Sequence, residues 1–410
     1  MPTTRNQPPP AADPVLTFDP VCETGETVTL PAVPTWSADV APIVADRCLG
    51  CHVDGGIAPF PLDTAEIVAP MAPAIAATVE ARRMPPWPPG TCEDCPPIQH
   101  DRGLTDTEIA VFRAWSDAGA PLGDGGPAPE GASLPALARV DASPDMGADY
   151  TPPASPSDTY RCFVTEPPST TDTWLTGYNV RPGEGRVVHH VLLFAIDDDD
   201  ALDTVNTLDA DDPGLGYECF GGPGVEESRM VAAWAPGTGA TIFPSNTGLS
   251  LPGGRNMVIQ MHYNVASGTL PDRTAVDLML EDSVAKPAEL LRLSQRDLSL
   301  EPGSPSVTRT LDYEIPAGVS EVKVYAVAPH MHALGKSWSL TVGDACVMDV
   351  PAWDFHWQGL YFFESPVSVA GGDVATMSCT YDTTSASGTT EFGENTTDEM
   401  CMGFVYVTVD

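Results

Sequence analysis

From residue 160 onward the sequence is strand after strand, broken by Gly/Pro clusters, and this punctuation limits the possible folds more than any other feature. Apolar-rich runs at 187–196, 257–265, 276–280, 307–315, 322–327, 337–342, 374–381 and 402–409 all have strand length. Clusters such as Pro252-Gly253-Gly254 and Ala370-Gly371-Gly372 separate them. Many short strands with such turns predict antiparallel β-sandwiches. The stretch is long enough for two, placed at 159–283 and 284–410 with the boundary near 282–287. No sequence repeat relates them.

Residues 36–122 read differently. The segment 41–46 leads into Cys48, and 67–83 is Ala-rich and helix-compatible. Thr105 followed by Glu108 is a helix-start pattern. Ile109, Phe112 and Trp115 continue it at helical spacing until Gly119-Ala120-Pro121. Residues 123–158, rich in Gly, Pro, Ala and Asp, read as a linker whose second half is an extended lead-in. Residues 1–35 read as an extended tether with no core of its own.

Lys and Arg number 19 against 57 Asp and Glu, a formal charge of −38. Such a surface repels nucleic acid and anionic membranes, which argues against both as partners. No stretch approaches the roughly 20 apolar residues of a membrane span. The 10 cysteines point to an oxidising compartment. The first 20 residues lack the regions of a signal peptide. A periplasmic or secreted protein is therefore expected, its native leader missing from this sequence.

Cys48-Leu49-Gly50-Cys51-His52 is a C-x-x-C-H sequence, which reads as a c-type haem attachment site. Two thiols take the haem vinyl groups and the histidine one axial position. A redox dithiol or half a zinc site are the alternatives, since Cys92-Glu93-Asp94-Cys95 is a second C-x-x-C. The second axial ligand of such a haem is often Met. Met84, between a helix and Pro85-Pro86, is the candidate, with Met71 and His100 as rivals. The region resembles class I-type cytochrome c domains, and that resemblance implies haem attachment outside the cytoplasm. Cys92 and Cys95 are read as a local disulfide.

Of 8 histidines, five form three clusters in the strand-rich part, His189-His190, His262 and His330-Met331-His332. Residues i and i+2 on a strand point the same way, so His330 and His332 can grip one ion. Adjacent residues point oppositely, so His189 and His190 can share an ion only at a strand end or distortion such as a β-bulge. Imidazole suits copper and zinc, and a thioether selects Cu(I).

The segments Val187-Val188-His189-His190-Val191, Gln260-Met261-His262-Tyr263-Asn264, Pro329-His330-Met331-His332-Ala333 and Asp398-Glu399-Met400-Cys401 resemble, in order and spacing, the signatures of the ascorbate-dependent type II copper monooxygenases. The resemblance covers about residues 160–409. It implies one copper on His189, His190 and His262, storing an electron. It implies a second on His330, His332 and Met400, where dioxygen and substrate meet and a C–H bond is hydroxylated. It further implies a Cys379–Cys401 disulfide bracing the strand of Met400. Met402 is a close decoy for the thioether. The expected architecture is thus a small all-α cytochrome c domain followed by two antiparallel β-sandwich, jelly-roll-like domains.

The sequence also departs from that family. Ala328 stands where the peptide-amidating members have an Arg for the substrate carboxylate, and Met402 and Phe404 replace polar residues with the same task. A peptidylglycine substrate is disfavoured, and an apolar or aromatic small organic molecule is the softer inference. A family cysteine after the first His-His strand is missing, with Cys162–Cys219 as a replacement pair. Cys22 and Cys346 have no assigned partner. The haem is expected to donate electrons to the coppers, with ascorbate or another one-electron reductant as external donor. The competing reading is a non-catalytic haem/copper redox or copper-binding protein. His356, in an aromatic patch, is read as a core or supporting residue, and the acidic run 197–200 as a solvated loop.

Overall fold

The computed structural model describes residues 30–87, 89–90, 95–124, 130–131, 134–219, 221–266, 268–393 and 397–409. Most of the expected tether, with Cys22, and Cys92 lie outside the described residues.

A π-helical turn, Trp36–Val40, runs into helix α1, Ala41–Arg47. Helix α2 is Ala65–Glu80 and α3 is Asp106–Asp117. The α3 start is the capping box expected from Thr105 and Glu108, with both reciprocal bonds formed. One apolar stripe from each helix meets the others. Trp36, Val44, Val68, Val79, Phe112 and Trp115 form a core separate from those of the sheets. It is small, and Trp115 secures it further by donating Nε1–H to the Pro121 carbonyl.

The rest of the described chain is mostly β-sheet. A five-stranded antiparallel sheet has the order Tyr217–Glu218, Asp158–Val164, Met257–Asn264, Val188–Ile196, Ser228–Trp234. A four-stranded antiparallel sheet has the order Val307–Glu314, Val374–Tyr381, Gly335–Val342, Ala345–Val350. Between them runs an eight-stranded sheet shared by both halves. Its first half holds Thr173–Arg181, Thr241–Ile242, Thr247–Leu251 and Ala275–Glu281. Its second half holds Lys286–Ser294, Met402–Val409, Glu321–His330 and Tyr361–Ala370. The seam is a short parallel pairing of Lys286–Ser294 with Thr247–Leu251. Alternating residues of facing layers fill two cores. One is built around Phe163, Tyr178, Leu193, Ile259 and Leu278, the other around Val324, Trp338, Leu340, Met377 and Val405. The expected β-sandwich layering is present, fused through one sheet. The lead-in pairs with it, through bridges from Ala142, Asp145 and Tyr150 to residues 272–278.

Two expectations fail. Cys95 bonds Cys346, 251 residues away, and so cannot form a local pair with Cys92. The reason is a strap. Gln99 N donates to Phe362 O and Glu364 N to Pro97 O, laying residues 97–99 along the edge of Tyr361–Ala370. That course brings Cys95 onto Ala345–Val350, the edge strand of the four-stranded sheet. The acidic run 197–200 is not a loop. Asp198 caps helix α4, Asp199–Asp211, accepting from Ala201 N at 2.7 Å, and Asp199 and Asp200 fill the first turn. Carboxylates there meet the positive end of the helix dipole. The other described disulfides are Cys162–Cys219 and Cys379–Cys401, both as expected. No described helix is long and apolar enough to cross a membrane.

Candidate metal centres

The strand Val188–Ile196 changes register against Met257–Asn264 between Val188 and His190. His190 pairs across the ladder with His262, and His189 is the extra residue of a bulge. A bulge is what two adjacent histidines need to face one point. One ring nitrogen from each of His189, His190 and His262 lies within 4.8 Å of the others. His189 and His262 are buried. Asp158 Oδ1 accepts from His262 Nε2 at 3.1 Å, which leaves Nδ1 as the lone-pair nitrogen, 3.4 Å from His190 Nδ1. Tyr160 stacks on the same ring at 4.3 Å. The hydrogen bond from His262 holds the Asp158 carboxyl well below the usual range.

Burial, with the nearby His262 and His356, brings His189 down to about 4, and burial brings His190 well below its ordinary value. Both rings are therefore neutral at neutral pH, the form that ligates metal. His189 Nδ1 is buried without a hydrogen-bond partner. His190 Nε2 also lacks a well-formed hydrogen bond, although the His356 backbone approaches that ring. Buried polar atoms are nearly always satisfied. Three imidazoles whose nitrogens converge on one point, with His189 Nδ1 buried and orphaned, fit a metal ion and fit a plain core poorly.

The second set lies where Glu321–His330 ends. The His330 and His332 rings are 5.3 Å apart and nearly perpendicular. His330 Nδ1 donates to Gln358 Oε1 at 2.6 Å, and His332 Nδ1 to Asp398 O at 3.0 Å, so both present Nε2. Burial and His332 bring His330 down to about 4. Met400 is buried and tied to this place by Glu399. One Glu399 oxygen accepts from His332 N and Met400 N, and the other from Leu334 N. Burial pushes this fully buried carboxyl up to about 7 against the pull of those donors. Tyr381 Oη donates to Met400 O, and the Cys379–Cys401 disulfide braces the next residue. Two imidazole nitrogens, and a methionine whose backbone Glu399 ties to that of His332, are donor types suited to Cu(I). Met402, the decoy, pairs with His330 across the strands, and its carbonyl accepts from Trp338 Nε1.

Residues 306–408 match the family described as "Copper type II ascorbate-dependent monooxygenase, C-terminal domain". Residues 146–269 match its N-terminal domain. The chain belongs to the copper type II ascorbate-dependent monooxygenases. It is similar to a tyramine beta-hydroxylase of Caenorhabditis briggsae, 27% identical over 60% of this chain and 45% of that one. It is also similar to peptidyl-glycine alpha-amidating monooxygenase A of Xenopus laevis, 23% identical over 62% and 27% of the two chains. The chain thus spans less than half the length of these relatives. Among solved structures, one of infectious bursal disease virus covers 68% of this chain and 74% of its own, at 11% identity and a TM-score of 0.18, too slight a likeness to bear on the fold. Both histidine sets fall inside the two matched domains.

Three supporting residues escaped the sequence. Asp158 had no signal, since its partner His262 is 104 positions on. Glu399 stood inside the Met400 motif and could have been flagged as a buried acid. Gln358 directly follows the aromatic patch of 353–357, of which Trp353 packs into the second core. The patch is the loop between Ala345–Val350 and Tyr361–Ala370, and it reaches both histidine sets. Trp353 Nε1 donates to His332 O and the Phe355 ring lies 5.9 Å from that of His332, while Trp357 lies 5.8 Å from His189. The His356 side chain is 57% exposed, which corrects its reading as a core residue.

Cys48 and Cys51 are free, half-buried thiols in the turn after α1. Burial pushes Cys48 up to about 12, and burial raises Cys51 against the nearby Arg102. Reactive dithiols have lowered values, and burial moves these two the other way. His52 Nδ1 donates to Phe60 O at 3.0 Å, which leaves Nε2 as the lone-pair nitrogen. Met84 lies at the surface, 39% exposed. Met71 is half-buried within α2, and His100 is exposed.

Proposed function

We propose that this chain is a copper-dependent monooxygenase that hydroxylates a C–H bond of a small organic substrate with dioxygen, drawing electrons from a c-type haem on its own helical segment. The observation that carries the first half is the convergence of three ring nitrogens within 4.8 Å at a bulge, one of them buried and orphaned, inside a matched family domain. Copper held by His189, His190 and His262 and by His330, His332 and Met400 would supply the one-electron redox steps of dioxygen reduction and oxygen insertion. The protein's part is placement. Asp158, Gln358 and the Asp398 carbonyl fix which nitrogen each ring presents, and Glu399 holds the Met400 turn against His332. Ala328 and Phe404 pair on adjacent strands leading to the second set, which favours an apolar or aromatic substrate over a carboxylate.

The haem half rests on Cys48, Cys51 and His52, with Met84 as the distal ligand on this reading. Its support is the tautomer of His52 and the packing of the C-x-x-C-H turn. A Cβ on Gly237 would lie 2.8 Å from Cys51 Sγ, and one on Gly185 would lie 3.3 Å from the Gly55 carbonyl. Gly185 is four residues before His189, so the cysteine turn abuts the sheet that carries the first histidine set. Three disulfides among the described residues favour a periplasmic or secreted location. Ascorbate or another one-electron reductant is the external donor on this reading.

The test is a reduced, copper-loaded protein given dioxygen and a panel of small aromatic and aliphatic substrates, read as a mass gain of one oxygen atom. Met400→Ala should abolish that gain and leave one copper on the first set. Undiminished hydroxylation by that variant sinks the assignment of the second set. A pyridine haemochrome spectrum without a c-type band sinks the haem half alone.

A further inference from the structure

The three histidines of the first set all come from the five-stranded sheet, yet a fourth imidazole, from the other half of the molecule, lies against the His189 ring. His356 sits on the loop after Ala345–Val350. Its ring is 6.1 Å from that of His189, edge-on at 88°. Asp354 Oδ1 lies 3.2 Å from His356 Nδ1, so the ring donates there and keeps Nε2 as its lone-pair nitrogen. A carboxylate on the far nitrogen is the usual support of a metal-bound histidine, and Asp158 gives His262 the same support within the first set.

We propose that His356 is the fourth copper ligand of the first set, donated across the interface by the second half of the chain. The proposal rests on the reading of His189, His190 and His262 as a copper site. With metal–nitrogen bonds of about 2.0–2.1 Å, two imidazoles on one ion have ring centres roughly 5–6 Å apart, so the observed spacing needs only a small adjustment. The adjustment falls on the one ring of the four that is free to make it. The His356 side chain is 57% exposed, whereas His189 and His262 are buried. A fourth nitrogen changes what this copper can do. Three imidazoles leave an open position for dioxygen, and a fourth fills it. The first site then stores an electron without reacting with oxygen, and dioxygen is directed to the second set. The ligand also ties the loop that positions His330 through Gln358 to the occupancy of the first site.

The experiment confines copper to the first set with His330→Ala/His332→Ala and adds Cu(II) alone. Pulsed EPR then counts coordinated imidazoles, and a chelator competition gives the affinity. Four imidazoles are expected in this background. His356→Ala and His356→Gln, added to it, should each give three, with altered copper hyperfine splitting and an affinity weaker by about tenfold or more. Two replacements at an exposed side chain, checked by circular dichroism, separate ligand loss from misfolding. Three imidazoles and identical hyperfine splitting with and without His356 overturn the proposal while leaving the copper site standing. Failure of the His330→Ala/His332→Ala chain to bind stoichiometric Cu(II) overturns both.

Discussion

Replacing Cys95 and Cys346 by serine should destabilise the chain by about 5 kcal/mol, chiefly by freeing its unfolded state. The bond closes a loop of 251 residues. The chain-entropy relation, −2.1 − 1.5R ln n cal/mol/K, gives about 5.5 kcal/mol at 25 °C for a loop of that length. Cys162–Cys219 lies inside this loop and shortens its path by 57 residues. The dependence on length is logarithmic, so that correction removes only about 0.2 kcal/mol. The native contacts of the strap remain in the variant. Gln99 N still meets Phe362 O at 2.7 Å, and Trp87 still packs edge-on to Tyr361 at 5.2 Å. For a chain of 410 residues with an unfolding entropy of about 2.1 cal/mol/K per residue, the loss corresponds to about 6 °C in Tm. Reversible thermal unfolding of the oxidised parent and the double variant measures it, with thiol counting by mass to confirm the bond. A fall of less than about 1 °C with the parent bond intact refutes the loop-entropy argument. Free thiols at Cys95 and Cys346 in the oxidised parent refute the pairing itself.

Glu399→Gln swaps one acceptor oxygen for a donor beside buried N–H groups, so it should cost about 2 kcal/mol and weaken Cu(I) binding at the second set; a denaturant melt and a Cu(I) competition check both. Asp158→Ala frees the His262 ring and should weaken copper binding at the first set by about 10–100-fold with the second set unchanged, as read by site-resolved titration. Asp349 has its carboxyl raised by burial, so its contribution to stability is full below its unfolded pKa and is lost as pH rises through its folded value. Asp349→Asn should therefore melt higher than the parent at pH 7, with the gap closing as the pH is lowered towards 4; a gap that is constant with pH contradicts the burial argument.

What could be read from the sequence was what is local or periodic. Thr105 and Glu108 announced the α3 cap because a capping box closes within one turn. The strands stood out as short apolar-rich runs bounded by Gly/Pro clusters. The His189-His190 pair demanded a distortion, and the bulge is there. What stayed hidden was either distant or miscounted. Cys95–Cys346 and Asp158–His262 join residues far apart in the chain, and no spacing rule reaches them. Helix α4 was legible and was misread. Asp198 caps it, and Ala201 and Val205 are buried at helical spacing, but four consecutive aspartates weighed as solvated loop. The 353–357 patch was misplaced for a related reason. Aromatic content usually signals a core, and here the rings face two sets of histidines from a loop.

The two histidine sets sit in one rigid frame if the seam of the shared sheet is strong, and Tyr406 is where this can be tested. Its strand, Met402–Val409, lies in the second half of the large sheet, but its ring packs among residues of the first. Phe243 lies 4.9 Å from it and Phe362 5.7 Å, and its hydroxyl meets that of Thr247 at 2.9 Å. Tyr406→Phe removes only that last bond, and Thr247 keeps the Pro244 carbonyl, so the cost should be about 1 kcal/mol with one cooperative transition retained. Tyr406→Ala opens a cavity among Phe243, Phe362 and the seam and should cost about 3–5 kcal/mol. Because the cavity lies between the two halves, calorimetry of Tyr406→Ala should separate one transition into two, with each half keeping its own core. A single, uniformly lowered transition would mean that the Lys286–Ser294 and Thr247–Leu251 pairing holds the halves together without the aromatic cluster, and the frame would then owe its rigidity to backbone hydrogen bonds rather than to packing.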